Sequence, residues 1–199
     1  MVKTVIGRKG LNKFFDISYE FISAEGRYKD DKLSHYESNI KNMILAGAKK
    51  AIVEGHKVEI IKSLKANGEN TQISYNPDLD TFIIASKNVG LLARDEKDLD
   101  LYPPKAIRYN FSYLMAKCWF TLISELKKKD LEALKKDMAH RTFVGEYIGN
   151  IQCQHLVKYP RETIIFYAIV DNNSPKMCNL PEESYKIFKK YGFDVVNVE

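Results

Sequence analysis

Cysteine is scarce in this chain of 199 residues: there are three, Cys118, Cys153 and Cys178. An odd number, so widely spaced, gives neither a disulfide framework nor the close pairs of a zinc site, and free, mostly buried thiols are expected. Long apolar runs are missing too. No stretch reaches the roughly 20 residues that cross a bilayer, so no membrane association is expected. Residues 1–10 lack the extended apolar core of a secretory signal, which points to an intracellular protein, cytoplasmic or nuclear. There is no repeat, low-complexity tract or Gly/Ser linker, so residues 1–199 read as a single domain with one well-buried core. Neither sign of charge dominates. The net charge of +5 permits a polyanionic partner such as nucleic acid without requiring one.

What is present is an ordinary globular composition, 45% hydrophobic and 29% charged, with 12 Tyr and 10 Phe to build an aromatic core. Leu33, Tyr36, Ile40, Met43, Ile44, Ala48, Ala51 and Ile52 recur at spacings of three and four, predicting a helix over 33–54 that stops at Gly55. Strands are expected at Lys57–Ser63, Glu69–Tyr75 and Thr81–Ser86, the last two joined as a hairpin through Asn76-Pro77-Asp78. After Pro103-Pro104 a second helix is predicted over 105–138, with an inner stripe of Ile107, Phe111, Leu114, Met115, Cys118, Leu122 and Ile123. Lys127-Lys128-Lys129 would lie near its middle, as a solvated face or as a contact for RNA phosphates. Strands Thr142–Ile148 and Thr163–Val170 follow, then a helix at 181–191 opened by Pro181 and closed by Gly192, then a strand Phe193–Val198. Strand blocks with hairpin-length connections, interrupted by helices, define an α+β fold with a largely antiparallel sheet.

One short segment between strands has the makings of chemistry. In Lys65-Ala66-Asn67-Gly68-Glu69-Asn70 a lysine stands beside an Asn-Gly turn, where exposed backbone N–H groups can cradle phosphate and a glycine admits close approach. Alone, the pattern is more commonly an ordinary Asn-Gly turn beside a solvated lysine.

Four other segments change that weighing. Lys65-Ala66-Asn67-Gly68 resembles the Lys-x-(Asp/Asn)-Gly motif of ATP-dependent RNA ligases, and it looks most like the Lys-x-Asn-Gly form of fungal-type tRNA ligases and T4 RNA ligase 1-like enzymes. Arg8-Lys9-Gly10-Leu11-Asn12-Lys13-Phe14-Phe15-Asp16 resembles the segment that precedes it in that family. Phe82-Ile83-Ile84-Ala85-Ser86-Lys87-Asn88 resembles the next motif, a strand ending in Ser-Lys. Phe143-Val144-Gly145-Glu146-Tyr147 resembles the strand bearing the motif III acid, and Ile165 to Asp171 the strand after it. The five stand in the family's order over about residues 8–171.

The resemblance implies a covalent nucleotidyltransferase domain of the RNA ligase type, using ATP as AMP donor and Mg²⁺, and acting on RNA with 5′-phosphate and 3′-hydroxyl ends. It implies that Lys65 takes up AMP while Asn67, Gly68 and Asn70 shape the loop around it. Glu146 would bind the ribose, and either Phe166 or Tyr167 would stack on adenine, since strand alternation turns only one toward the pocket. Lys87, Arg8 and Lys13 would face phosphates of ATP or RNA. Gly145 beside Glu146 suggests something approaching the backbone closely, and His140 and His155 are read as structural. No metal ligands are identified. Two later motifs of the family, a Glu-Gly segment for the metal and a closing Lys-x-Lys pair, are not found: Glu182-Glu183 is followed by Ser184, and Lys186, Lys189 and Lys190 fall in a helical pattern. The expectation is therefore a ligase core, with two alternatives: part of a split enzyme completed by a partner chain, or a non-catalytic RNA-binding or scaffold module on a ligase fold.

Overall fold

The computed structural model describes residue 11 and residues 45–59, 61–102, 109–149, 158–174 and 178–198. The chain forms two compact units, residues 12–61 and the combination of residues 1–11 with 62–199. In the smaller unit residues 45–53 are helical; the rest of the helix predicted over 33–54 lies outside the described residues, apart from the turn at its end. That end is as expected, with Gly55 at φ +78°, its N–H donating to the Ile52 carbonyl and His56 N–H to Ala51. This is the left-handed cap that glycine adopts without steric cost.

The larger unit is α+β, built on one antiparallel sheet. Its elements are β1 (Glu69–Asn76), β2 (Thr81–Ala85), β3 (Gly90–Ala93), a 3₁₀ turn (Glu96–Leu101), α1 (Asn110–Ser124), α2 (Lys128–Met138), β4 (Arg141–Ile148), β5 (Thr163–Asp171) and α3 (Pro181–Lys190). The strand order is β3-β2-β1-β4-β5. The predicted β1–β2 hairpin forms in the register Asn76 to Thr81.

Strand alternation divides the sheet into two faces. Ile73, Phe82, Ile84, Leu91, Phe143, Tyr147, Ile164 and Phe166 point to one face, where they pack with Met115, Trp119 and Ile123 of α1, Leu134 and Met138 of α2, and Phe188 of α3. Burying each large apolar side chain there contributes about 1.5–3 kcal/mol. Trp119 sits at the middle, its ring 5.6 Å from Phe82, 6.4 Å from Phe166 and 5.5 Å from Phe193. The opposite face carries Asn70, Gln72, Ser74, Thr142, Val144 and Glu146, in adjoining rows set by the β1–β4 register. No helix among the described residues is long and apolar enough to cross a membrane.

β5 breaks strict alternation. Val144 pairs with Ala168 and Gly145 with Phe166, leaving Tyr167 as the extra residue of a β-bulge. The bulge lets Phe166 and Ile169 both reach the helix-covered core, while Tyr167, Ala168 and Val170 pack together with Val144 on the other face.

Three expected elements come out differently. The helix predicted over 105–138 is two helices, broken at Glu125–Lys127, with residues 103–108 outside the described set. A continuous helix would place Lys127, four residues after Ile123 and four before Leu131, in the buried stripe. The chain turns extended there instead (φ −64°, ψ 150°), so the triple lysine opens α2 rather than lying in mid-helix. Lys57–Ser63 forms no strand among its described residues; Ser63 makes only a single bridge to Val198, and the adjacent Ile60 and Ile61 already break period-two alternation. Residues 193–198 likewise form isolated bridges, Val195 to Phe166 and Val198 to Ser63, because this segment changes partner within a few residues.

Candidate nucleotide-binding site

The Lys65 segment enters the sheet at one end of β1, and local packing fixes it firmly. A Cβ built on Gly68 would lie 2.5 Å from the Tyr147 carbonyl oxygen, 2.8 Å from Ile148 Cδ1 and 3.0 Å from Glu146 Cβ. Only glycine allows the loop to rest on β4. One residue earlier, the Asn67 N–H donates to the Tyr159 hydroxyl at 3.0 Å. Lys65 itself is exposed, while Ala66 beside it is buried.

β1 runs on from this loop with Asn70 directly across from Glu146. Asn70 Nδ2 donates to the Tyr167 hydroxyl at 3.2 Å, and Gln72 Nε2 donates to Asn70 Oδ1 at 2.9 Å. The bulge thus turns Tyr167 toward Asn70 and Glu146. Burial pushes the Glu146 carboxyl up to about 7, with the Lys65 cation pulling it down and Glu69 pushing it further up. The Tyr167 phenol rises to about 12, from burial first and then the Glu146 charge, against the Asn70 hydrogen bond. A lysine, a carboxyl that changes charge near neutrality, an amide and a phenol therefore share one end of one sheet face.

The remaining predicted positions sort themselves by location. Lys87 is exposed in the β2–β3 turn, at the same end of the sheet, where Ser86 N–H donates to the Val89 carbonyl at 2.9 Å. Ser112 Oγ of α1 donates to that carbonyl as well, at 2.7 Å, pinning the turn. Phe166 is fully buried on the helix-covered face, stacked 4.8 Å from Phe188, so of the two aromatic candidates Tyr167 is the one beside Glu146. Arg8 and Lys13 lie outside the described residues. Gly145 does meet a close neighbour, which is β5 rather than a ligand: a Cβ there would lie 2.7 Å from the Ile165 carbonyl oxygen.

A cleft of about 310 Å³ opens beside Lys65, walled by Leu64, Tyr159, Ile165, Asp194 and Val196 among others. Ligand pockets typically begin near 300 Å³. Among the described residues no group of three or more His, Cys, Asp or Glu could hold a metal ion. A magnesium ion carried on nucleotide phosphates needs only one or two protein carboxylates; of the two at this end of the sheet, Glu146 lies on the face of Asn70, while Glu69, opposite Tyr147, lies on the helix-covered side. Tyr159, Gln72, Asp194 and Asn197 were not reached from sequence; no motif marks them, because their roles depend on partners distant along the chain.

No family profile and no curated protein matches this chain. Among solved structures it is similar to the Naegleria gruberi RNA ligase with PPi, at 14% identity and a TM-score of 0.47, over 70% of this chain and 35% of that one. A mutant of that ligase with ATP and Mn gives 15% and 0.48 over the same shares. An archaeal ATP-dependent RNA ligase gives 14% and 0.43, over 69% of this chain and 30% of that one. The chain thus spans about a third of the length of these ligases. At such identities and scores the likeness assigns no activity, and the functional reading rests on the site residues.

Proposed function

We propose that this chain is the adenylyltransferase core of an ATP-dependent RNA ligase, with Lys65 as its nucleophile. One observation carries the reading: residues from three of the five ordered motif segments (the Lys65 loop with Asn70, Glu146, and Tyr167) meet at one end of one sheet face, and of these Lys65 alone also lines a cleft. In this scheme Lys65 Nζ loses a proton and attacks the α-phosphorus of ATP. A P–N bond forms, the P–O bond to the leaving group breaks, and pyrophosphate departs. AMP then passes to an RNA 5′-phosphate, and an RNA 3′-hydroxyl displaces it to seal the strand. Glu146, with its carboxyl poised near neutrality, both donates to and accepts from ribose hydroxyls, and the Tyr167 ring lies against adenine. Lys87, with Arg8 and Lys13, neutralises phosphates of ATP or RNA. Mg²⁺ carried on the nucleotide would supply charge neutralisation on its phosphates, with Glu146 as the carboxylate of this face that would hold it. Phosphoryl chemistry asks chiefly for such positioning and charge.

The second reading is a non-catalytic RNA-binding module or part of a split ligase. Incubation with Mg²⁺ and α-labelled ATP separates the two. Acid-labile label on the parent protein and none on Lys65→Ala is the expected result. A folded protein that takes no label would move the second reading to first place.

A further inference from the structure

Lys65 is held from both directions along the chain. Downstream, Asn67 is tied to Tyr159 and Gly68 is wedged on β4. Upstream, Leu64 N–H donates to the Asn197 carbonyl at 2.9 Å and Ser63 bridges Val198, so the residue next to Lys65 is tied to the segment 193–198. That segment is itself laid along β5. Phe193 is buried against Trp119 and Phe166, Phe166 N–H donates to the Asp194 carbonyl at 2.9 Å, and Val196 N–H donates to the Phe166 carbonyl at 3.1 Å. The Asp194 carboxylate locks the arrangement, accepting from Arg161 at 2.8 and 2.9 Å and from Thr163 Oγ1 at 2.7 Å.

The Arg161–Asp194 pair is partly solvated, with side chains 66% and 34% exposed, and such pairs add little to global stability. Their consequence is geometric. Asp194 stands three residues before the carbonyl that holds Leu64, and Leu64 directly precedes Lys65. We propose that Asp194 is a positioning residue for Lys65, setting the upstream end of the nucleophile loop through the Asp194–Asn197 segment. The proposal rests on the adenylyltransferase reading for its chemistry. It does not rest on that reading for the mechanical link.

The test uses the full chain and two readouts. The first is the single-turnover rate of lysyl–AMP formation, with its dependence on ATP concentration. The second is hydrogen exchange at the Leu64 amide, which needs no activity. In Asp194→Ala the rate should fall at least about tenfold with the ATP concentration dependence unchanged, because an error of about 1 Å at a reacting group can cost 10²-fold. Leu64 exchange should speed up by at least about tenfold as its opening becomes local. Asp194→Asn, which still accepts from Thr163 and Arg161, should stay within about threefold of the parent on both readouts. If Asp194→Ala does not fold, Arg161→Ala carries the same direction of change. Unchanged Leu64 exchange would overturn the proposal, and so would a weakened ATP dependence at constant rate, which would make Asp194 a ligand contact instead. A parent chain that takes no label would sink the adenylyltransferase reading, while faster Leu64 exchange in Asp194→Ala would still uphold the link between Asp194 and the loop.

Discussion

A methyl group at Gly68 would meet the Tyr147 carbonyl oxygen at 2.5 Å, a backbone atom that cannot swing aside. Gly68→Ala should therefore lift the loop off β4, costing about 1–3 kcal/mol as an overpacked site and lowering Lys65 labelling about 10²-fold; urea melts and the labelling rate check the two effects. Glu146 makes the second residue-scale prediction. Its carboxyl is raised to about 7 from an ordinary 4.5, so between those pH values the folded state holds a proton that the unfolded state has released. Stability should then fall as pH rises through that window, by roughly 1–2 kcal/mol once partial solvent contact is discounted. Glu146→Gln should flatten the difference between melts at pH 5 and pH 8; a difference that survives in the variant would remove Glu146 as its cause. Motif order singles out Lys65, Asn70 and Glu146 in the sequence and leaves Phe166 and Tyr167 open as alternatives. Tyr159 was not legible there, since its hydroxyl serves a backbone N–H 92 residues away and carries no local signal.

At the scale of elements, β3 shows how an exposed sheet edge is closed. The Tyr102 hydroxyl both accepts from Leu92 N–H and donates to the Leu92 carbonyl, each at 2.9 Å, so one side chain occupies two edge groups of a four-residue strand. Tyr102→Phe should cost about 0.5–1.5 kcal/mol and raise self-association, because free edge groups template pairing; sedimentation across a concentration series is the check. The same element marks a limit of sequence reading. Gly90–Ala93 is too short, and its edge chemistry too dependent on Tyr102, to announce itself as a strand. The long strands and α3 were plain from period and punctuation. The break between α1 and α2 was not, as no Gly or Pro signals it; a charged residue at an inward position was the only clue. The β5 bulge was equally hidden, although it decides that Tyr167 and not Phe166 faces the site.

In the molecule as a whole, Trp119 joins the parts, touching Phe82 of β2, Phe166 of β5 and Phe193 of the terminal segment. Its buried indole N–H has no hydrogen-bond partner among the described residues, so its contribution there is volume. Trp119→Phe, which leaves part of that volume empty, should cost about 1–3 kcal/mol, whereas Trp119→Ala should cost about 3–5 kcal/mol and loosen the sheet and the Lys65 loop together; denaturant midpoints and labelling rates measure both. The α+β architecture with one antiparallel sheet followed from the alternation of strand and helix patterns. The second face of that sheet, with a polar row beside the lysine loop, emerges only when β1, β4 and β5 are paired. The central claim is that this arrangement makes Lys65 a nucleophile toward ATP. Its most direct test is mass spectrometry of peptides from the parent chain after incubation with ATP and Mg²⁺. An AMP adduct on the peptide containing Lys65, fragmenting at that residue and absent from Lys65→Ala, is the predicted result. An adduct on another residue, or none from a folded chain, would contradict it.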